Sequence, residues 1–189
     1  NTFAFEKGVA KEMGMSYGVM VNSGSSANLL AMEMLNLPAG SEVITPIVTF
    51  STTLAPIVQK GLIPVFVDSG IGNYQIDVSK IEGAISKNTK ALMIPMLIGN
   101  IPDLEEIQSI AKRHKLKVIL DSCDTIGATF NGKPIGYYAH FVTTSFYGSH
   151  VITAACGGGM ICFHNKEEER ELKLLRSWGR SSAISDTDD

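Results

Sequence analysis

Lys117-Val118-Ile119-Leu120-Asp121-Ser122-Cys123-Asp124 is a short apolar run that stops on an acid. A run this brief reads as a strand buried on both faces, the kind found in parallel sheets. Before it lies an amphipathic stretch, residues 103–114, with Asp103 placed to cap a helix. The same alternation continues outward. On the N-terminal side strands are expected at 17–21, 42–45, 63–68 and 91–96. Helices are expected at 3–13, 25–35, 52–60 and 78–86, the last entered through Asp77 as N-cap. On the C-terminal side residues 131–138 are turn-rich and read as a loop or short hairpin. Strands at 141–145 and 159–163 and a closing helix at 167–178 complete the pattern. Strands alternating with helices mean βαβ units, right-handed crossovers and a mostly parallel sheet covered on both faces: an α/β, three-layer αβα arrangement.

The chain has 189 residues and a formal charge of −3, enough for one globular domain with a sizeable core. It has no basic excess, so electrostatics make no case for nucleic acid as a partner. Its apolar runs are too short for a membrane span, and its first residues lack a basic-then-apolar signal pattern. Three cysteines, Cys123, Cys156 and Cys162, form no CxxC pair. They read as reduced thiols of a cytoplasmic protein, without the ligand spacing of a zinc site or cluster; no metal is expected. Residues 181–189 read as a polar tail.

In open α/β sheets ligands sit at the carboxyl ends of the strands. Four such places carry unusual residues. In Asn22-Ser23-Gly24-Ser25-Ser26-Ala27-Asn28 a glycine turn and small hydroxyl residues open a helix. Its free N–H groups and positive end suit a phosphate, although an ordinary serine N-cap explains it equally well. Asp121 ends its strand in an apolar setting, which is costly unless something cationic meets it, a protonated pyridine nitrogen being one such partner. A capping aspartate or a metal ligand is the plainer reading of this segment alone. In Thr144-Ser145-Phe146-Tyr147-Gly148-Ser149-His150 a lone histidine follows a strand end, and such histidines are more often structural. No Gly-x-Ser-x-Gly elbow accompanies it. Phe50, just past another strand end, is either core filler or a platform for a flat ring.

The order and spacing of these segments, across residues 23–28, 45–53, 61–68, 97–103, 121–128 and 145–159, resembles the DegT/DnrJ/EryC1/StrS family of nucleotide-sugar aminotransferases and their dehydratase relatives. The likeness runs from about Phe5 to Arg180. It implies the large domain of a fold type I, aspartate aminotransferase-like enzyme dependent on pyridoxal phosphate over residues 1–180, with the small C-terminal domain absent. It also implies a homodimer with the active site at the interface. By the resemblance, Gly24, Ser25 and Ser26 would hold the cofactor phosphate with help from Ser145. Phe50 would stack on the pyridine ring, Asp121 would pair with the ring nitrogen and keep it protonated, and Asp124 would lie near the other face.

Aminotransferases of the family end the Ser-Phe segment in a lysine that binds the cofactor as a Schiff base. Five residues after Ser145 this chain has His150, and no lysine lies between Lys133 and Lys166. The same replacement marks the sugar 3-dehydratases, of which the GDP-4-keto-6-deoxymannose enzyme is one. That branch implies pyridoxamine phosphate held without a tether, a nucleotide-linked 4-keto-6-deoxy sugar as substrate, and His150 as the base for loss of the 3-hydroxyl. Two departures stand out. Ala155-Cys156-Gly157-Gly158 replaces the family's Gly-Glu-Gly-Gly, and Ser181-Ser182-Ala183 follows Trp178-Gly179-Arg180 where the iron–sulfur dehydrase carries cysteines, so no cluster is expected. A sugar aminotransferase homologue and a non-catalytic cofactor-binding fragment are the alternatives.

Overall fold

A computed structural model describes residues 2–184; residue 1 and residues 185–189, which hold most of the expected polar tail, lie outside them. The strand Lys117–Asp121, numbered β5 in chain order, sits in the middle of a seven-stranded sheet. The others are β1 (Tyr17–Val21), β2 (Glu42–Pro46), β3 (Ile63–Val67), β4 (Thr89–Pro95), β8 (Phe141–Ser145) and β9 (Gly159–Phe163), in the order β1-β9-β8-β5-β4-β2-β3. Period-two alternation along β5 divides the core. Val118 and Leu120 enter one apolar cluster, Ile119 the other.

The helices are α1 (Thr2–Glu12), α2 (Gly24–Met34), α3 (Ser51–Gln59), α4 (Leu104–His114) and α5 (Lys166–Arg176). Val9 of α1 and Leu104, Ile107 and Ile110 of α4 pack in the cluster with Val118. Ala31 and Met32 of α2, Ile57 of α3 and Leu172 of α5 pack in the cluster with Ile119. These are the three layers expected. Helix α4 shows how locally the ends are specified: Asp103 accepts from the Glu106 N–H at 3.0 Å, and Lys115 closes the helix in the left-handed conformation.

Residues 78–86 differ from expectation. They form two single 3-10 turns, Val78–Lys80 and Glu82–Ala84, and not an α-helix. Gly83 and the β-branched Val78, Ile81 and Ile85 are weak helix formers, and burying Ile81 completely suits two short turns. Asp77 still caps the first turn, accepting from the Ser79 N–H at 3.2 Å. The turn-rich stretch holds a two-stranded hairpin of β6 (Thr129–Phe130) and β7 (Lys133–Pro134), followed by a 3-10 turn over Ile135–Tyr138.

Strands β2, β3, β4, β5 and β8 run parallel, so their carboxyl ends share one edge. Strand β9 is antiparallel to both of its neighbours, β1 and β8. No helix separates β8 from β9; the connecting residues 146–158 leave at that shared edge and return into the sheet there.

Candidate active site

The shared edge opens into a cavity of about 520 Å³. Gly24, Ser25, Phe50, Asp121, Asp124, Ser145 and His150 all line it, brought together from four separate segments. Ser26 is not among the lining residues. Its N–H donates at 3.1 Å to Ser23 Oγ, the N-cap, and its Oγ accepts from the same hydroxyl at 3.2 Å. Ser23 thus stiffens the first turn of α2, where N–H groups have no intrahelical acceptor. Gly24 is needed for space: a Cβ there would lie 2.7 Å from Ser145 Cβ. From the other side, a Cβ on Gly159 would lie 2.2 Å from the Ser23 carbonyl carbon. The glycine run before β9 therefore seats the N-terminus of α2 directly on the sheet edge.

Asp121 is 6 % exposed, and its carboxylate is held by neutral donors. Asn28 Nδ2 and Thr53 Oγ1 each donate to Oδ2 at 2.8 Å, and the Cys123 N–H donates to Oδ1 at 3.2 Å. Thr143 Oγ1 donates to Asn28 Oδ1 at 2.5 Å, which fixes the amide with its nitrogen toward Asp121. Among the described residues no lysine or arginine forms an ion pair with this carboxylate. A buried, uncompensated carboxylate facing a cavity fits a cationic ring nitrogen. Burial, reinforced by the Asp121 charge, pushes the Cys123 thiol far above its usual range, so this cavity cysteine stays protonated.

His150 lies 22 % exposed, with Nδ1 3.3 Å from Asp124 Oδ1. The other oxygen of Asp124 accepts from the Ile98 N–H at 2.9 Å. Ile98 belongs to a tight turn, Leu97–Gly99, and has φ 51°, a left-handed conformation that a β-branched residue adopts only under constraint. Gln75 Nε2 donates to the Leu97 carbonyl at 3.1 Å and holds the turn from below. Phe50 presents a ring that is 67 % exposed beside the cavity. Tyr147, 65 % exposed, stands edge-on to His150 with ring centres 6.3 Å apart.

The other histidines are elsewhere. His114 meets Glu82 at the end of α4, His164 meets Ser16, and His140 accepts from the Val118 N–H at 3.0 Å. Among the described residues no group of three or more His, Cys, Asp or Glu could hold a metal ion. Reading the sequence alone passed over Asn28, Thr53 and Thr143, which hold Asp121. A polar residue inside an apolar helix face, as Asn28 is, was the available signal.

A three-layer αβα domain with this cavity at its carboxyl edge has the fold of type I, aspartate aminotransferase-like enzymes dependent on pyridoxal phosphate. The solved GDP-4-keto-6-deoxy-D-mannose-3-dehydratase of E. coli with bound hydrated PLP superposes with TM-score 0.91 at 34% identity, covering 98% of this chain and 49% of that one. The model of the DegT/DnrJ/EryC1/StrS aminotransferase family matches residues 1–188, and the chain belongs to that family. A dTDP-4-dehydro-2,6-dideoxy-D-glucose 3-dehydratase from Saccharopolyspora spinosa is 40% identical over 188 residues, 95% of this chain and 40% of the relative. A GDP-perosamine synthase from Caulobacter vibrioides is 35% identical over 175 residues, 93% of this chain and 47% of the relative. The chain thus spans less than half the length of these relatives.

Proposed function

We propose that this chain carries the cofactor site of a nucleotide-sugar 3-dehydratase that uses pyridoxamine phosphate without a lysine tether. One observation carries the reading: His150 lines the same cavity as Asp121, and no described lysine does. Histidine cannot form the Schiff base on which the family's aminotransferases depend.

The residues present fit the cofactor. The first turn of α2, with Ser25 and the neighbouring Ser145, would receive its phosphate; Ser26 would act through Ser23 on the shape of that turn. Asp121 would accept from the ring nitrogen and keep it protonated. Phe50 offers an exposed aromatic face for the ring. Bound there, pyridoxamine phosphate supplies an amine that condenses with a sugar ketone and a ring that draws off electrons. The imidazole of His150 would accept a proton from the carbon that bears the cofactor's amine and return it to the departing 3-hydroxyl, which leaves as water. The substrate class proposed is a nucleotide-linked 4-keto-6-deoxy sugar.

Residues 1–180 would form the large domain, and the parts of the relatives that this chain does not span would supply further sugar contacts. The apolar side chains exposed around the cavity, Phe50, Ile98, Tyr147 and Val151, favour a second subunit there.

The full-length protein, given pyridoxamine phosphate and a panel of 4-keto-6-deoxy nucleotide sugars, is expected to yield a product lacking the 3-hydroxyl. Borohydride treatment with pyridoxal phosphate should attach nothing at the active site. Replacing His150→Lys should allow covalent capture and lower dehydration by about 10²–10⁴-fold. Undiminished dehydration in that variant, or an aminosugar product from the wild type, overturns the reading.

A further inference from the structure

We infer that Asp124 is a positioning residue that fixes the tautomer of His150, so that the nitrogen doing proton transfer is Nε2. The inference rests on the proposed role of His150 as base, and adds which atom acts and what aims it. Asp124 has its two carboxylate oxygens committed to different partners. Oδ2 accepts the Ile98 N–H at 2.9 Å, and Oδ1 faces His150 Nδ1 at 3.3 Å. An ionised carboxylate accepts hydrogen bonds and donates none. Facing it, neutral His150 places its proton on Nδ1 and leaves the lone pair on Nε2.

Free imidazole has no such constraint, and a base with its proton on the wrong nitrogen cannot accept another there. A carboxylate on one ring nitrogen and a reacting proton at the other is the arrangement by which an aspartate orients a catalytic histidine. The backbone around Asp124 supports this. Ile98 is held in a left-handed conformation with its N–H aimed at Oδ2, and Gln75, 2 % exposed, ties down the preceding carbonyl. The Leu97–Gly99 turn therefore fixes the carboxylate plane, and the carboxylate fixes the imidazole. Other groups near the ring are Tyr147, edge-on at 6.3 Å between ring centres, and the cavity residues Asp121 and Cys123. Tyr147 shares the connection of His150, whereas Asp121 and Cys123 belong to the same segment as Asp124.

The test is the ¹⁵N spectrum of His150 in the full-length protein, recorded without cofactor well above the ordinary imidazole pKa of ~6.5. The His150 signals are assigned by their loss in His150→Asn. The wild type is expected to show a protonated Nδ1 and an unprotonated Nε2. Asp124→Asn keeps an oxygen for the Ile98 N–H but turns an NH₂ toward Nδ1, so the proton should move to Nε2. The same variant should lose about 10²–10⁴-fold in kcat for dehydration with little change in KM for the sugar. A wild-type His150 protonated on Nε2, or a tautomer unchanged in Asp124→Asn, overturns the inference. Should the variant fail to fold, the wild-type spectrum decides alone. If the tautomer is as expected but His150→Asn still dehydrates, the pairing stands and the proposed function falls.

Discussion

The two ends of the cavity are built differently. Around Asp121, the polar groups come from the interiors of regular elements: Asn28 from α2, Thr53 from α3 and Thr143 from β8, all at most 1 % exposed. Around His150, they come from connections. Residues 147–153 are exposed or half-buried, and their backbone bonds are local, such as His150 N–H to the Tyr147 carbonyl at 3.0 Å. The site's electrostatic floor is thus part of the folding core, whereas the proposed base, His150, rides on an exposed connection and faces Asp124. Folding should fix the first; the second should tolerate change.

Substitutions can break or sharpen that contrast. The largest effect is expected at Gly159, where an added Cβ meets the Ser23 backbone at 2.2 Å. Gly159→Ala should cost about 1–3 kcal/mol or more in a urea titration and weaken cofactor binding by shifting α2. A variant as stable as wild type would show that the floor is looser than described. Next comes Asn28→Ala, which removes one donor from a buried carboxylate and the acceptor of the Thr143 hydroxyl. A loss of about 1–3 kcal/mol is expected, with affinity for pyridoxamine phosphate, followed by fluorescence, falling on the order of tenfold. Affinity unchanged in that variant would separate the network from the cofactor site. The smallest effect is expected at exposed Cys156. Cys156→Glu should change stability by less than ~0.5 kcal/mol. A larger loss would place the connection in the core after all.

The same contrast governs what could be read from the sequence. The floor announced itself wherever a local pattern sufficed: the apolar run stopping at Asp121, and the Gly-Ser opening of α2. Its wiring did not, because Asn28 and Asp121 are 93 residues apart and Asn28 and Thr143 115 apart. Only the strand order brings them together. Residues 78–86 misled because an apolar spacing of three and four fits an α-helix and paired 3-10 turns alike. That Ser25 lines the cavity while Ser26 bonds to Ser23 was not legible, since adjacent serines at a helix start cannot be told apart by residue type. His150 was legible as a candidate by its offset from Ser145, but its contact with Asp124 crosses two loops. The direction of β9 did have a local signal, since no helix lies between β8 and β9 to carry a parallel crossover, but its pairing with β1 joins opposite ends of the chain.

That reversed strand has a consequence for ancestry. Ser145 and Gly159 are partners across the β8–β9 ladder, so the connection carrying His150 is clamped at both ends by the sheet. Phe146 is buried against Phe5 of α1, but the exposed or half-buried residues 147–153 can be exchanged while strand register and helix packing stay untouched. A lineage can therefore trade one chemistry for another at this connection, with the scaffold inherited unchanged. The dehydratases and aminosugar-forming enzymes among its kin are what such a replaceable part would be expected to leave behind.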